Sequence, residues 1–162
     1  YAFRHEHDRQ LTVGNATCTA ESAVSLTSLT HQLGYRLTLD AWKDHRLNAQ
    51  EGSVRDKAKQ LRELADDGDE LALELFHDQA HALGIALLNA DYLGDYDLLV
   101  IGGGICGLSE SLQEQYQRKV EESYRRYALD AFKNVGRIEF SVCGDDAPVI
   151  GALAHLYFQS MR

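Results

Sequence analysis

Asp97-Leu98-Leu99-Val100-Ile101-Gly102-Gly103-Gly104 carries more structural information than any other stretch of this chain. An unbroken apolar run enters three consecutive glycines, and an amphipathic helical pattern follows. That order describes a buried strand opening into a loop whose backbone passes close to something, with a helix N-terminus beyond it. In α/β folds such a corner commonly receives phosphorylated ligands. A glycine triplet also serves as a plain tight turn, so the corner alone leaves both readings open. The apolar run further predicts a central strand over 97–101 that is covered on both faces, as parallel strands are.

Upstream, Leu71, Leu75, Phe76, Ala80, Leu83, Leu87 and Ala90 share one helical face, and Gly94 ends that helix before the strand. Val54 to Leu64 reads as a charged helix, residues 35–50 as an irregular connection, and Leu26, Leu29 and Leu33 as a short helix stopping at Gly34. Downstream, Leu108, Leu112, Tyr116, Val120, Tyr124 and Tyr127 step by four and then three along a second amphipathic helix. Its tyrosines read as packing residues. Arg137 to Val142 alternates as a strand. Gly144-Asp145-Asp146-Ala147-Pro148 then starts a last helix, with Asp as N-cap, Pro in the first turn, and Val149, Ile150, Leu153 and Leu156 as the buried face. Two strands joined by a crossover helix pair in parallel. Two strands do not make a stable sheet alone, so others are expected from residues 1–15, a preceding region or another chain.

Composition narrows the functional classes. The 162 residues, 44% of them hydrophobic, suit about one globular domain. A formal net charge of −9 repels phosphate backbones and argues against nucleic-acid binding by this segment. No apolar run approaches the ~18 residues that span a bilayer, and the first residues lack a basic-then-apolar signal, so a cytoplasmic location without membrane contact is expected. Cys18, Cys106 and Cys143 are widely spaced and read as free thiols. The chain opens on Tyr1 within a charged segment, which suggests a fragment or an excised domain.

Two blocks together point to a family. Asp95-Tyr-Asp-Leu-Leu-Val-Ile-Gly-Gly-Gly-Ile-Cys, followed about 40 residues later by Gly144-Asp-Asp-Ala-Pro-Val-Ile-Gly-Ala-Leu-Ala, resembles the C-terminal end of ROK proteins. Leu83-Gly-Ile-Ala-Leu-Leu-Asn89 is similar to the helix that precedes the family's glycine strand, and Thr19-Ala-Glu-Ser-Ala-Val-Ser25 to its "Cys-Leu-Glu-x-x-x-Ser" segment. ROK proteins are sugar kinases and sugar-responsive repressors with an actin-like, ribonuclease-H-like ATPase fold. The resemblance implies an α/β C-terminal lobe with parallel strands and covering helices. It implies Gly102, Gly103 and Gly104 as contacts to ATP (with Mg in the full-length protein), and Glu21 and His7 as sugar contacts. A carboxylate suits hydroxyls because it accepts two protons in fixed geometry; Glu21 also reads as an ordinary first-turn acid favoured by the helix dipole.

Departures from the family are equally informative. Thr19 stands where the last zinc cysteine would be, Cys18 is one residue off, and no Cys-x-Cys occurs. A closed tetrahedral site lacks its ligands, so zinc is expected to be absent. The pair His77 and His81 has neither a Glu between its members nor a third ligand in sequence, and reads as a solvated helix face. The family's catalytic aspartate and both its phosphate loops belong to positions before Tyr1, so no residue here is expected to be catalytic. The resulting expectation is the C-terminal lobe of a homodimeric ROK-type sugar kinase, inactive alone. Its alternatives are the sugar-sensing lobe of a ROK-type transcriptional regulator and a non-catalytic dimerisation scaffold.

Overall fold

The computed structural model describes residues 3–133 and 136–161, the side chain of Asp145 excepted. The chain opens with a 3-10 turn at Glu6–Gln10 and a small antiparallel hairpin, β1 (Thr12–Val13) and β2 (Ala16–Thr17). Helices α1 (Glu21–Val24) and α2 (Leu26–Arg36) follow. Ser25 separates them and caps the second, its hydroxyl accepting the Ser28 N–H at 3.1 Å. Contrary to expectation, α2 runs through Gly34, which does not take the left-handed conformation of a helix stop. Its role is packing: Val54 Cγ1 lies 3.5 Å from where a Cβ would sit.

The expected single charged helix is two, α3 (Val54–Ala58) and α4 (Leu61–Asp66). At their junction the Gln60 N–H donates to the Lys57 carbonyl at 3.1 Å, a tighter i to i+3 step that interrupts the α-helical ladder. The spine is α5 (Glu70–Gly94), started by the Asp69 side chain accepting the Ala72 N–H and ended, as the sequence indicated, after Gly94 by left-handed Asp95. Helix α6 (Glu110–Tyr127) crosses between β3 (Leu98–Ile101) and β4 (Arg137–Phe140), which pair in parallel from Leu98↔Arg137 to Ile101↔Phe140.

The core lies where α5 meets α6. Leu71, Leu75, Phe76 and Ala80 belong to one buried cluster with Leu112, Tyr116, Val120 and Tyr124. Burying a leucine or phenylalanine contributes about 1.5–3 kcal/mol each. Gly84 sits at the tightest crossing, where a Cβ would overlap the Val120 carbonyl and lie 2.7 Å from Ser123 Cβ. Beyond Ala80 the buried stripe of α5 rotates: Gly84 and Asp91 face α6, whereas Leu83 and Leu87 stay half-buried.

Two faces expected to be covered are open. Leu99 and Ile101 of β3 are buried, but Leu98 and Val100 are 40% and 56% exposed. Among the described residues the helices cover one side of the sheet, and the β1–β2 hairpin forms a separate sheet instead of extending it. Helix α7 (Ala147–Ser160) carries proline in its first turn as expected, with Asp146 in the N-cap position but making no side-chain cap. Its apolar residues Val149, Ile150, Leu153 and Leu156 are exposed, not buried. Periodicity fixes which residues share a face; it does not supply what covers that face. No helix is long and apolar enough to cross a membrane.

Arg36 and Asp8 form a fully buried pair of opposite charges. Arg36 donates to both carboxylate oxygens of buried Asp8 at 3.1 Å, to Glu74 at 3.1 Å and to Asp78 at 3.2 Å. Arg4 adds a bond to Asp78 at 2.7 Å, so the first residues are pinned to α2 and α5 through charge pairing.

Candidate functional site

A cleft of about 780 Å³ gathers the first turn of α1, the α3–α4 junction, one face of α5 and the glycine loop. Glu21, Lys59, Arg62, Gln79 and Gly102–Gly104 all line it, above an apolar floor that includes Leu29, Phe76, Leu83 and Tyr116. Gly103 adopts φ +81° and ψ −161°, a conformation that only glycine takes without strain. A Cβ at Gly102 or Gly103 would meet nothing within 4 Å, so the backbone there faces open space into which a ligand can press. Arg62 closes the loop from the side, its Nη2 donating to the Gly104 carbonyl at 2.6 Å.

The start of α1 is fixed before any ligand arrives. Thr19 and Ser22 bond reciprocally: the Ser22 N–H donates to the Thr19 hydroxyl at 3.1 Å and the Thr19 N–H to the Ser22 hydroxyl at 3.3 Å. Further along, the Gln79 amide donates to the Val24 carbonyl, and the Tyr116 hydroxyl donates to Gln79 Oε1 at 3.4 Å. Glu21 thus projects from a turn tied to both long helices. Burial pushes the Tyr116 phenol well above its ordinary range, which keeps it a neutral donor. Sequence reading missed Gln79, although a polar residue one turn from Leu75 on a core stripe is a signal that something must satisfy it.

The matching region between family and sequence runs over residues 14–157, and the family is ROK. The chain belongs to the ROK family. Its fold is that of solved ROK sugar kinases. A protein assigned as a sugar kinase from Cytophaga hutchinsonii superposes with a TM-score of 0.68 at 21% identity, over 95% of this chain and 48% of that one. A ROK family glucokinase from Streptomyces griseus, solved with glucose and AMPPNP, superposes with a TM-score of 0.67 at 22% identity, over 85% of this chain and 44% of that one. The ROK chain therefore spans about half the length of these solved relatives. Among curated proteins none matches the sequence significantly.

Of the residues expected to act, the ROK fold brings Glu21 and Gly102–Gly104 to one cleft and leaves His7 elsewhere. His7 lies in the turn Glu6–Gln10, its ring stacked on His31 at 4.3 Å and on Tyr35 at 4.4 Å, and its carbonyl is bonded to His31 Nε2 at 2.9 Å. The second amphipathic helix, expected to include Leu108, also starts later. Gly104–Gly107 is a 3-10 turn, and α6 starts at Glu110, capped by Ser109, whose hydroxyl donates to Asp66. A carboxylate therefore already sits beside that terminus, and the loop backbone with Arg62 is left as the anion-facing element. Among the described residues no three His, Cys, Asp or Glu side chains are grouped to hold a metal ion.

Proposed function

We propose that this chain is the C-terminal lobe of a ROK-type sugar kinase, supplying the nucleotide-side glycine loop and one sugar contact. The carrying observation is that Glu21 and Gly102–Gly104, far apart in sequence, line the same cleft. The glycine backbone suits the close approach of a nucleotide, and the cations Lys59 and Arg62 beside it favour an anionic ligand over the chain's negative background. Glu21 accepts hydroxyl protons of a hexose or amino sugar. ATP bound here would supply the phosphoryl group; the residues of this lobe bind and orient.

Glu21 is the one carboxylate lining the cleft among the described residues, so we assign this lobe neither the magnesium ligands nor the general base. Both belong, in this reading, to a preceding lobe that packs on the open side of β3 and on α7. The intact protein would be a cytoplasmic homodimer that transfers the γ-phosphate of ATP to a sugar hydroxyl.

Amide NMR spectra of the isolated chain test the reading. Titration with AMPPNP should shift Gly102–Gly104 and Ile105, and titration with glucose should shift Glu21 to Ser25. Ligand-induced shifts confined to other regions would overturn it, and sugar shifts without nucleotide shifts would favour the sensor alternative.

A further inference from the structure

The other side of α5 carries a second, unrelated cleft. At 100° per residue, His77, Asp78 and His81 lie roughly opposite the face that presents Phe76, Leu83 and Leu87 to the glycine-loop cleft. They line a space of about 380 Å³ together with Lys119, Glu122 and Arg126 of α6, and Arg4 closes it from the N-terminal segment. We propose that this α5–α6 cleft is an anion site for a phosphate monoester, distinct from the nucleotide cleft.

The charges around it are unevenly satisfied. Asp78 is engaged by two guanidiniums, Arg4 at 2.7 Å and Arg36 at 3.2 Å, both of which also pair with Glu74, so it is not a free acceptor in the cleft. Lys119 pairs with Glu122 at 2.8 Å on the exposed rim, where such a pair is weak and readily exchanged. Arg126 stacks over the Tyr127 ring at 5.8 Å and enters no ion pair among the described residues. The lining carries Arg4, Lys119 and Arg126 against Asp78 and Glu122, a net positive charge of one on a chain of net charge −9.

The histidines add an inducible charge. Burial lowers both, and the nearest cations, Lys119 for His77 and Arg126 for His81, lower them further, whereas Asp78 and Glu122 pull the other way. Both rings are thus biased toward the neutral form, and His81 Nε2 rests 3.5 Å from the Tyr127 hydroxyl. A dianion between them would favour the imidazolium forms, gaining charge-assisted bonds as it binds. Binding takes up protons, so affinity rises as pH falls.

Sulfate is the first probe, since it remains a dianion throughout the range. It should shift the ring resonances of His77 and His81 saturably, raise their titration midpoints, and bind several-fold more tightly at about pH 5.5 than at about pH 7.5. Lys119→Gln with Arg126→Gln, both at solvent-exposed rim positions, should weaken it about tenfold without lowering the melting temperature. His77→Gln with His81→Gln should remove the pH dependence and keep the binding at high pH. Shifts reproduced by sodium chloride at equal ionic strength, or indifferent to the Lys119 and Arg126 changes, would overturn the site. Hexose 6-phosphate binding more tightly than inorganic phosphate supports the monoester; equal binding overturns that part. The readout sits on the face away from Gly102–Gly104, so it fails or succeeds independently of the nucleotide reading.

Discussion

Arg62 of α4 and Gly104 of the glycine loop are joined by a 2.6 Å bond from guanidinium to carbonyl, across 42 residues of sequence. The same guanidinium lies 2.8 Å from where a Cβ on Gly107 would stand, so the loop is seated on this side chain at two points. Replacing Arg62 by Ala should weaken AMPPNP binding by about 0.5–1.5 kcal/mol, the usual net worth of one intramolecular hydrogen bond. Isothermal titration decides it, and an unchanged affinity would remove Arg62 from the site.

Gly103→Val attacks the same loop through its backbone. Positive φ for a β-branched residue costs about 1–3 kcal/mol, so the variant should lose both nucleotide affinity and a few degrees of melting temperature. If it matched the parent in both, the triplet would be a turn and nothing more.

Alone, the chain should show no ATP-dependent phosphorylation of any hexose or amino sugar in a coupled assay, because among the described residues its cleft offers Glu21 but no second carboxylate to act as base beside bound metal. Turnover above background with any sugar would sink the lobe assignment.

Arg36→Met strands the carboxylate of Asp8, which is 2% exposed, and should destabilise the fold by about 3–5 kcal/mol in urea denaturation. Adding Asp8→Leu should recover most of that loss, since replacing both charges removes the unpaired one. A double variant as unstable as the single one would mean that Glu74 and Asp78 depend on Arg36 as much as Asp8 does.

Leu153, Leu156, Tyr157 and Phe158 of α7 are each more than 60% exposed, and a contiguous apolar face of that kind drives association. Sedimentation velocity should show concentration-dependent self-association that Leu153→Glu with Tyr157→Glu abolishes, with little change in melting temperature. A large fall in melting temperature instead would show that α7 packs inward in solution.

Local pattern carried much of this architecture. The strand-to-glycine corner, the end of α5 at Gly94 and the four-residue steps from Leu112 to Tyr124 were all legible, because each depends on neighbours within a turn or two. So was the parallel pairing, which a crossover helix between short strands enforces. What escaped depends on distant partners. Nothing near Arg36 in sequence signals that Asp8 will bury it, and nothing near His7 signals stacking on Tyr35. Gly34 misled because a glycine that packs and a glycine that stops a helix look alike in one dimension. The cleft itself was half legible: Glu21 and the glycines were identifiable, whereas Lys59, Arg62 and Gln79 arrive from elements whose facing is a tertiary fact.

The absence of a side chain at Gly84 has a mechanical consequence. With the α5 backbone resting against the Val120 carbonyl, the two long helices leave no sliding layer of side chains between them at that crossing. They should move as a single beam. Any opening of the glycine-loop cleft must then come from the thinner wall, the short segments α1 to α4, with Arg62 and the Gln79–Val24 bond as the hinges' stops. Nucleotide and sugar would be gripped by a wall that yields against a beam that does not.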